Sequence, residues 1–67
     1  MKPGEKIKFL RRSLGLTQQR LANKVGITQQ YLSYFENGII PVGKHLKEKI
    51  AGALGVSRDE IWPNEKQ

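Results

Sequence analysis

Hydrophobic residues recur along the chain at the three- and four-residue spacing that is typical of amphipathic helices. Ile7, Leu10 and Leu14, for example, would share one face of a helix. The same spacing marks five short segments, which cover about residues 4–14, 17–25, 28–37, 43–54 and 57–62. No segment shows the two-residue alternation of a convincing strand. The pattern therefore predicts an all-α fold, a compact bundle of about five short helices.

Residues that favour helix caps flank these segments. Thr17 and Thr28 each precede a segment, and a threonine hydroxyl accepts a hydrogen bond from a first-turn amide. Ser57 to Glu60 fits a capping box, with glutamate three residues after serine. A glycine that permits a left-handed turn follows four of the segments, at Gly15, Gly26, Gly38 and Gly55. Pro63 stops the fifth segment, so we expect residues 63–67 to form a polar tail.

Length and composition limit the class of protein. The 67 residues are 37% hydrophobic, which suffices for one small core, so we expect a single domain over 1–67. Without cysteine there is neither a disulfide nor a thiolate ligand, and the single histidine, His45, lacks neighbours that would complete a metal site. The short apolar runs predict no membrane span and no secretory signal, so we expect a cytoplasmic protein.

Positive charge is concentrated in the first two thirds of the chain. The net charge is +6, and residues 1–45 carry eight basic and two acidic side chains, whereas residues 46–67 carry four of each. This distribution favours a polyanionic partner such as a nucleic acid, and a solvated basic surface is the alternative. Arg20 and Lys24, four residues apart, would repel each other on a helix unless phosphates opposed them.

The segments over 17–25 and 28–37 form a candidate helix-turn-helix unit, about 17–37. Gly26 ends the first segment, Ile27 is expected to enter the core, and Thr28 begins the second. The exposed side of the second segment would carry Gln29, Gln30, Ser33 and Tyr34. A glutamine amide can pair with both N6 and N7 of adenine in a major groove. The alternative is that each glutamine is simply a soluble helix-forming residue.

The chain resembles the lambda-repressor-like helix-turn-helix domains, the Cro/C1 type that includes phage repressors. The resemblance is carried by the spacing of Gln18, Ala22, Gly26, Leu32 and Phe35. It extends over about residues 4–62 through three flanking motifs, at Leu14–Gln18, Glu36–Gly38 and Ile50–Ser57. The resemblance implies a compact domain that binds double-stranded DNA sequence-specifically in transcription regulation.

The resemblance also implies roles for individual residues. Base contacts are expected from Gln29, Gln30, Ser33 and Tyr34. Phosphate contacts are expected from Thr17, Gln18, Arg11, Asn37, Lys44, Thr28 and Tyr31. Gln18 also lies where it could brace Gln29. Arg11 and Glu36 correspond to a largely buried salt bridge near the DNA backbone, and a purely structural role is the alternative for this pair. Tyr34 replaces an amide of a close phage relative, so no operator sequence is carried over.

The loop over residues 38–43 is apolar where several members of the family carry basic residues. Ile39, Ile40 and Val42 are candidates for a dimer contact, and the alternative is that they fold onto the core. Lys44 and His45 would partly replace the missing basic residues.

Together these features predict a transcriptional regulator, a repressor or Cro-like controller, that acts as a homodimer on a two-fold operator. The alternative is an antitoxin or co-regulator of the same fold that acts mainly through protein contacts. The chain lacks paired catalytic carboxylates, a nucleophile beside a base and a phosphate-cradling glycine loop. We therefore expect no enzyme activity, no cofactor, no metal and no small-molecule ligand.

Overall fold

Five α-helices dominate the computed structural model, which describes residues 1–63. They are α1 (Pro3–Ser13), α2 (Gln18–Val25), α3 (Gln29–Glu36), α4 (Lys44–Leu54) and α5 (Arg58–Ile61). No strand occurs within the described residues, so the predicted all-α fold is confirmed. Residues 64–67, most of the predicted polar tail, lie outside them. No helix in residues 1–63 has the length and apolar character that a membrane crossing requires.

The predicted threonine caps are present at the starts of α2 and α3. The backbone N–H of Arg20 donates to Thr17 Oγ1 at 3.1 Å, and the backbone N–H of Tyr31 donates to Thr28 Oγ1 at 3.1 Å. Each bond satisfies one of the amides that a helix leaves unpaired in its first turn. The caps therefore fix where both helices of the candidate unit begin.

The other helix ends agree with the sequence pattern only in part. The four capping glycines have positive φ angles, as predicted, at Gly15, Gly26, Gly38 and Gly55. The predicted capping box before α5 is wrong, because the side chain of Ser57 makes no capping hydrogen bond. The backbone N–H of Glu60 donates instead to the backbone carbonyl of Ser57 at 3.0 Å.

A single hydrophobic core joins the five helices. Each helix contributes one large, fully buried aliphatic side chain, and these are Ile7, Leu21, Leu32, Ile50 and Ile61. Burial of such a side chain stabilises a fold by about 1.5–3 kcal/mol. Leu14 does not join them, because α1 ends at Ser13 and the chain then turns at Gly15, which leaves Leu14 55% exposed.

The first turn of α1 approaches the end of α3 with no side chain between them. A Cβ atom placed on Gly4 would lie 2.5 Å from the carbonyl oxygen of Glu36 and 2.6 Å from that of Phe35. Both contacts are to backbone atoms, which cannot rotate away as the end of a side chain can. Glycine is therefore the residue that permits this close packing of α1 on α3.

Candidate nucleic-acid interface

A turn of three residues, Gly26 to Thr28, joins α2 to α3. The amides of Gly26 and Ile27 both donate to the carbonyl of Ala22, at 2.8 and 3.0 Å. Ile27 is partly buried and packs against the core, as expected, and Thr28 caps the next helix. The turn thus ends one helix and begins the other within a few residues, which defines a helix-turn-helix unit.

One side of α3 is buried and the other is open to solvent. The buried residues are Leu32, Phe35 and Glu36. Gln29 and Gln30, in the first turn of α3, are exposed, whereas Ser33 and Tyr34 are half-buried. The candidate base-reading residues are therefore accessible to different degrees, with the two glutamines the most open.

Four further residues on or next to α2 and α3 are predicted to contact DNA. The ring of Tyr31 packs on Phe35 with ring centroids 4.8 Å apart, and Tyr31 is 42% exposed. Exposed Asn37 donates from Nδ2 to the hydroxyl of Ser33 at 3.3 Å. The hydroxyl of Thr28 accepts the capping bond, so its own proton remains available to a phosphate, and the same holds for Thr17.

A buried ion pair lies between α1 and the end of α3. Arg11 Nε donates to Glu36 Oε2 at 2.7 Å, and Arg11 Nη2 donates to Glu36 Oε1 at 3.2 Å. Arg11 Nη1 also donates to the carbonyl of Leu16 at 2.9 Å. Because the two side chains are only 8% and 0% exposed, the geometry supports a structural role for the pair. A phosphate contact from Arg11 stays a prediction.

Gln18 connects the ion pair to the exposed end of α3. Its Nε2 donates to Glu36 Oε1 at 3.0 Å, and its Oε1 accepts from Gln29 Nε2 at 3.4 Å. The bond to Gln29 is the brace that the resemblance implied. The bond to Glu36 was not predicted from the sequence, because no local pattern reports a contact between residues so far apart in the chain.

Several cations in the part of the chain that the structure describes are exposed and have no acidic partner. Within the described residues, Arg12, Arg20 and Lys24 are exposed and form no ion pair. Elsewhere Lys6 pairs with Glu60 at 3.8 Å, and Arg58 pairs with Glu48 at 3.1 Å. Lys44, the first residue of α4, is also exposed. These free cations provide an electrostatic attraction for a polyanion.

The apolar loop after α3 divides its side chains between core and solvent. Ile40 and Val42 are partly buried and pack against the core, whereas Ile39 is 64% exposed. With Trp62 the loop lines a groove of about 440 Å³.

No three acidic, histidine or cysteine side chains of residues 1–63 are grouped so that they could hold a metal ion.

An all-α domain whose three-residue turn projects a glutamine-bearing helix is the architecture of Cro/C1-type helix-turn-helix domains. The sequence model of the helix-turn-helix family matches residues 7–61, and the chain belongs to that family. The family and the relatives below are transcription regulators and not enzymes.

Two relatives are similar over most of this chain. One is the uncharacterised HTH-type transcriptional regulator YonR, derived from the SPbeta prophage of Bacillus subtilis, at 39% identity over 56 residues, or 84% of this chain and 52% of YonR. The other is an uncharacterised HTH-type transcriptional regulator of Methanothermobacter thermautotrophicus, at 44% identity over 45 residues, or 67% of this chain and 65% of that protein. The chain thus spans between half and two thirds of the length of these relatives.

Solved structures share the fold. The P22 c2 repressor, in complex with synthetic operator 9T, superposes with a TM-score of 0.87 at 24% identity, over 91% of this chain and 92% of that chain. The clp gene regulator ClgR of Corynebacterium glutamicum gives a TM-score of 0.86 at 28% identity, over 91% of this chain and 65% of that chain. The lambda-repressor-like fold expected from the sequence is therefore confirmed.

Proposed function

We propose that this chain binds double-stranded DNA sequence-specifically as part of a transcriptional regulator, a repressor or Cro-like controller. The observation that carries the proposal is the pair of exposed amides, Gln29 and Gln30, in the first turn of a helix that projects from a packed scaffold. A major groove is wide enough to admit one helix with its side chains. Membership of a family of transcription regulators, and the operator-bound P22 c2 repressor of the same fold, support the proposal.

In the proposed complex, α3 lies in the major groove and its first turn contacts base edges. Gln29 and Gln30 read bases, and Ser33 and Tyr34 contribute further along the helix. Phosphates are bound by the hydroxyls of Thr17 and Thr28, by the free amide proton of Gln18, and by side chains near the groove edge, namely Tyr31, Asn37 and Lys44. Arg11 contributes indirectly, because its ion pair with Glu36 holds the end of α3.

Selection of bound sequences from a random duplex library tests this function. We expect an enriched motif made of two inverted half-sites, with centres about 10–11 base pairs apart, because two copies of one chain bind a two-fold site one helical turn long. Enrichment of no motif would overturn the proposal and favour the alternative, a module of this fold that acts mainly through protein contacts.

Replacement of Gln30 by alanine is expected to relax the base preference at one position by about 1–3 kcal/mol. The side chain is exposed, so the free energy of unfolding should stay within about 0.5 kcal/mol of wild type. Competition binding with single-base operator variants measures the effect. Gln19→Ala is the matched control, because Gln19 is an exposed glutamine on α2 whose side chain donates to Asn23. An equal loss of affinity on all duplexes would argue against base readout by Gln30.

We further propose that two copies of the chain meet through the exposed loop residue Ile39. A two-fold contact buries this side chain from both copies, and burial of one isoleucine is worth about 1.5–3 kcal/mol. Ile39→Glu should therefore weaken self-association on DNA by about tenfold or more, as measured by the cooperativity of operator binding and by sedimentation. Leu14→Glu, at another exposed apolar residue, should leave it unchanged. Equal self-association of both variants would place the dimer contact elsewhere.

A further inference from the structure

The outer side of α1 carries a phenylalanine that lies outside the hydrophobic core. Phe9 is 53% exposed and lines a hollow of about 420 Å³ together with Glu5, Lys8, Arg12 and Ser13. We propose that this hollow, the Phe9 surface, is a docking site for a segment of a partner protein. The segment places a large apolar side chain on Phe9 and a carboxylate beside Arg12. This partner lies beyond the proposed function, because the Phe9 surface does not contact DNA in the proposed complex.

Helical geometry places Phe9 on the side of α1 that is turned away from α3. Phe9 is two residues from both Ile7 and Arg11, and side chains two positions apart on an α-helix point to nearly opposite sides. Ile7 is buried in the core, and Arg11 bonds to Glu36 at the end of α3. In the proposed complex, the Phe9 surface therefore stays accessible while α3 lies in the major groove.

The charges along the Phe9 surface are separated by sign. Glu5 lies in the first turn of α1, where its Oε1 accepts from the backbone N–H of Lys2 at 3.1 Å. Lys8 and Arg12 follow toward the other end of the helix, and neither forms an ion pair within residues 1–63. Seven positions of helix separate Glu5 from Arg12, which is about 10 Å along the axis. The hollow is thus negative at one end, positive at the other and aromatic between them.

This arrangement matches a protein segment better than a nucleic acid or an anionic lipid surface. A row of phosphates is uniformly negative, so it would meet Glu5 as well as the two cations. A polypeptide can place a carboxylate at one end of the contact and a neutral or basic side chain at the other. Phenylalanine and arginine are both enriched in protein interfaces. An apolar side chain on Phe9 would also exclude water from Arg12, which strengthens the attraction of its guanidinium to a carboxylate.

Titration of the isotope-labelled chain with three synthetic helical peptides tests the proposed partner chemistry. The first peptide carries leucines on one side, with glutamates toward one end and lysines toward the other. The second replaces the leucines by glutamine, and the third replaces the glutamates by lysine. Backbone amide chemical shifts report both the affinity and the site. We expect saturable binding of the first peptide with the largest shifts over residues 5–13, and binding of the other two that is weaker by about tenfold or more.

Truncation of the aromatic ring tests the apolar part of the contact. Phe9→Ala should weaken binding of the first peptide by about tenfold or more, because the anchor for its leucines is lost. Leu14→Ala is the matched control, since Leu14 is 55% exposed and does not line the hollow. Its affinity should stay within about twofold of wild type. Equal affinities of both variants would overturn the proposal.

Reversal of one charge tests the electrostatic part. Arg12→Glu should weaken binding of the first peptide and strengthen binding of the third, because the positive end of the hollow becomes negative. Lys24→Glu changes the net charge by the same amount at an exposed cation of α2 that forms no ion pair within residues 1–63. It should leave binding of the first peptide within about twofold of wild type. An equal effect of both reversals would show general attraction and overturn the proposal.

Failure of this docking site and failure of the proposed function have different signatures. The titration uses no DNA, and Phe9→Ala should keep the wild-type operator motif and DNA affinity. Absence of binding by the first peptide, equal binding of all three, or largest shifts outside residues 5–13 would overturn the docking site and leave the proposed function standing. A loss of self-association in Phe9→Ala, measured by sedimentation, would make a second copy the occupant and overturn the proposal. A loss of DNA affinity in this variant would assign the surface to DNA and overturn it as well.

Discussion

Replacement of Arg11 by alanine is expected to lower the free energy of unfolding by about 3–5 kcal/mol. The variant loses three hydrogen bonds and leaves the carboxylate of Glu36 buried without its cation. Natural domains are stable by only about 5–15 kcal/mol, and small ones tend toward the lower value. Urea denaturation followed by circular dichroism should therefore show a large shift of the midpoint.

Two further variants distinguish the cost of an unpaired buried charge from the cost of shortening an arginine side chain. Arg12→Ala removes the neighbouring arginine, which is exposed and forms no ion pair within residues 1–63, so its stability should stay within about 0.5 kcal/mol of wild type. Arg11→Met combined with Glu36→Met removes both charges together and should retain much more stability than Arg11→Ala. A loss below about 1 kcal/mol in Arg11→Ala would show that the ion pair does not hold the fold.

The second large expected effect is a steep dependence of DNA affinity on salt concentration. If each of two copies neutralises about four phosphates, the logarithm of the binding constant should fall with a slope of about −7 against the logarithm of the salt concentration. Between 50 and 200 mM salt this slope corresponds to a loss of affinity of about 10⁴-fold. Fluorescence anisotropy with a labelled operator over this range measures the slope directly. A binding constant that does not change with salt concentration would show that the excess positive charge does not neutralise phosphates.

Single cations then show which part of the surface contacts the backbone. Arg20→Ala should reduce the slope by about 1 for each copy that loses a phosphate contact, and the base preferences should not change. Lys49→Ala provides the control, because Lys49 is an exposed cation on α4, in the part of the chain whose charges balance. An equal change in both variants would indicate general electrostatic attraction and no defined contact by Arg20.

Local pattern was sufficient to predict the helices but not all of their details. Hydrophobic periodicity and capping residues predicted the bounds of α2 and α3 to within one residue. Thr17, Thr28 and Gly26 carry this information because they act on the backbone next to them. The apolar spacing places Leu14 on the same helix face as Ile7 and Leu10, but that spacing does not show that α1 has already ended at Ser13. The capping box at Ser57 failed similarly, since the serine hydroxyl does not bond to the first turn.

The arrangement of the candidate site depended on information that spacing does not contain. Arg11 and Glu36 were paired through resemblance to a family, because local periodicity cannot relate residues on α1 and α3. The bond from Gln18 to Glu36 and the close contact at Gly4 were not predicted, since both arise from how the helices pack. In the loop, Ile40 and Val42 fold onto the core, whereas Ile39 is exposed, and a dimer contact through Ile39 stays a prediction.

The bare contact between Gly4 and the last carbonyls of α3 has a consequence for how an imperfect operator would be accommodated. Backbone atoms have no alternative rotamers, so α3 cannot pivot at this end to follow a groove that is too wide or a half-site that is out of phase. In the proposed complex, the duplex must therefore do the bending and twisting. Operators with easily deformed pyrimidine–purine steps between their half-sites are then expected to bind more tightly than stiff ones.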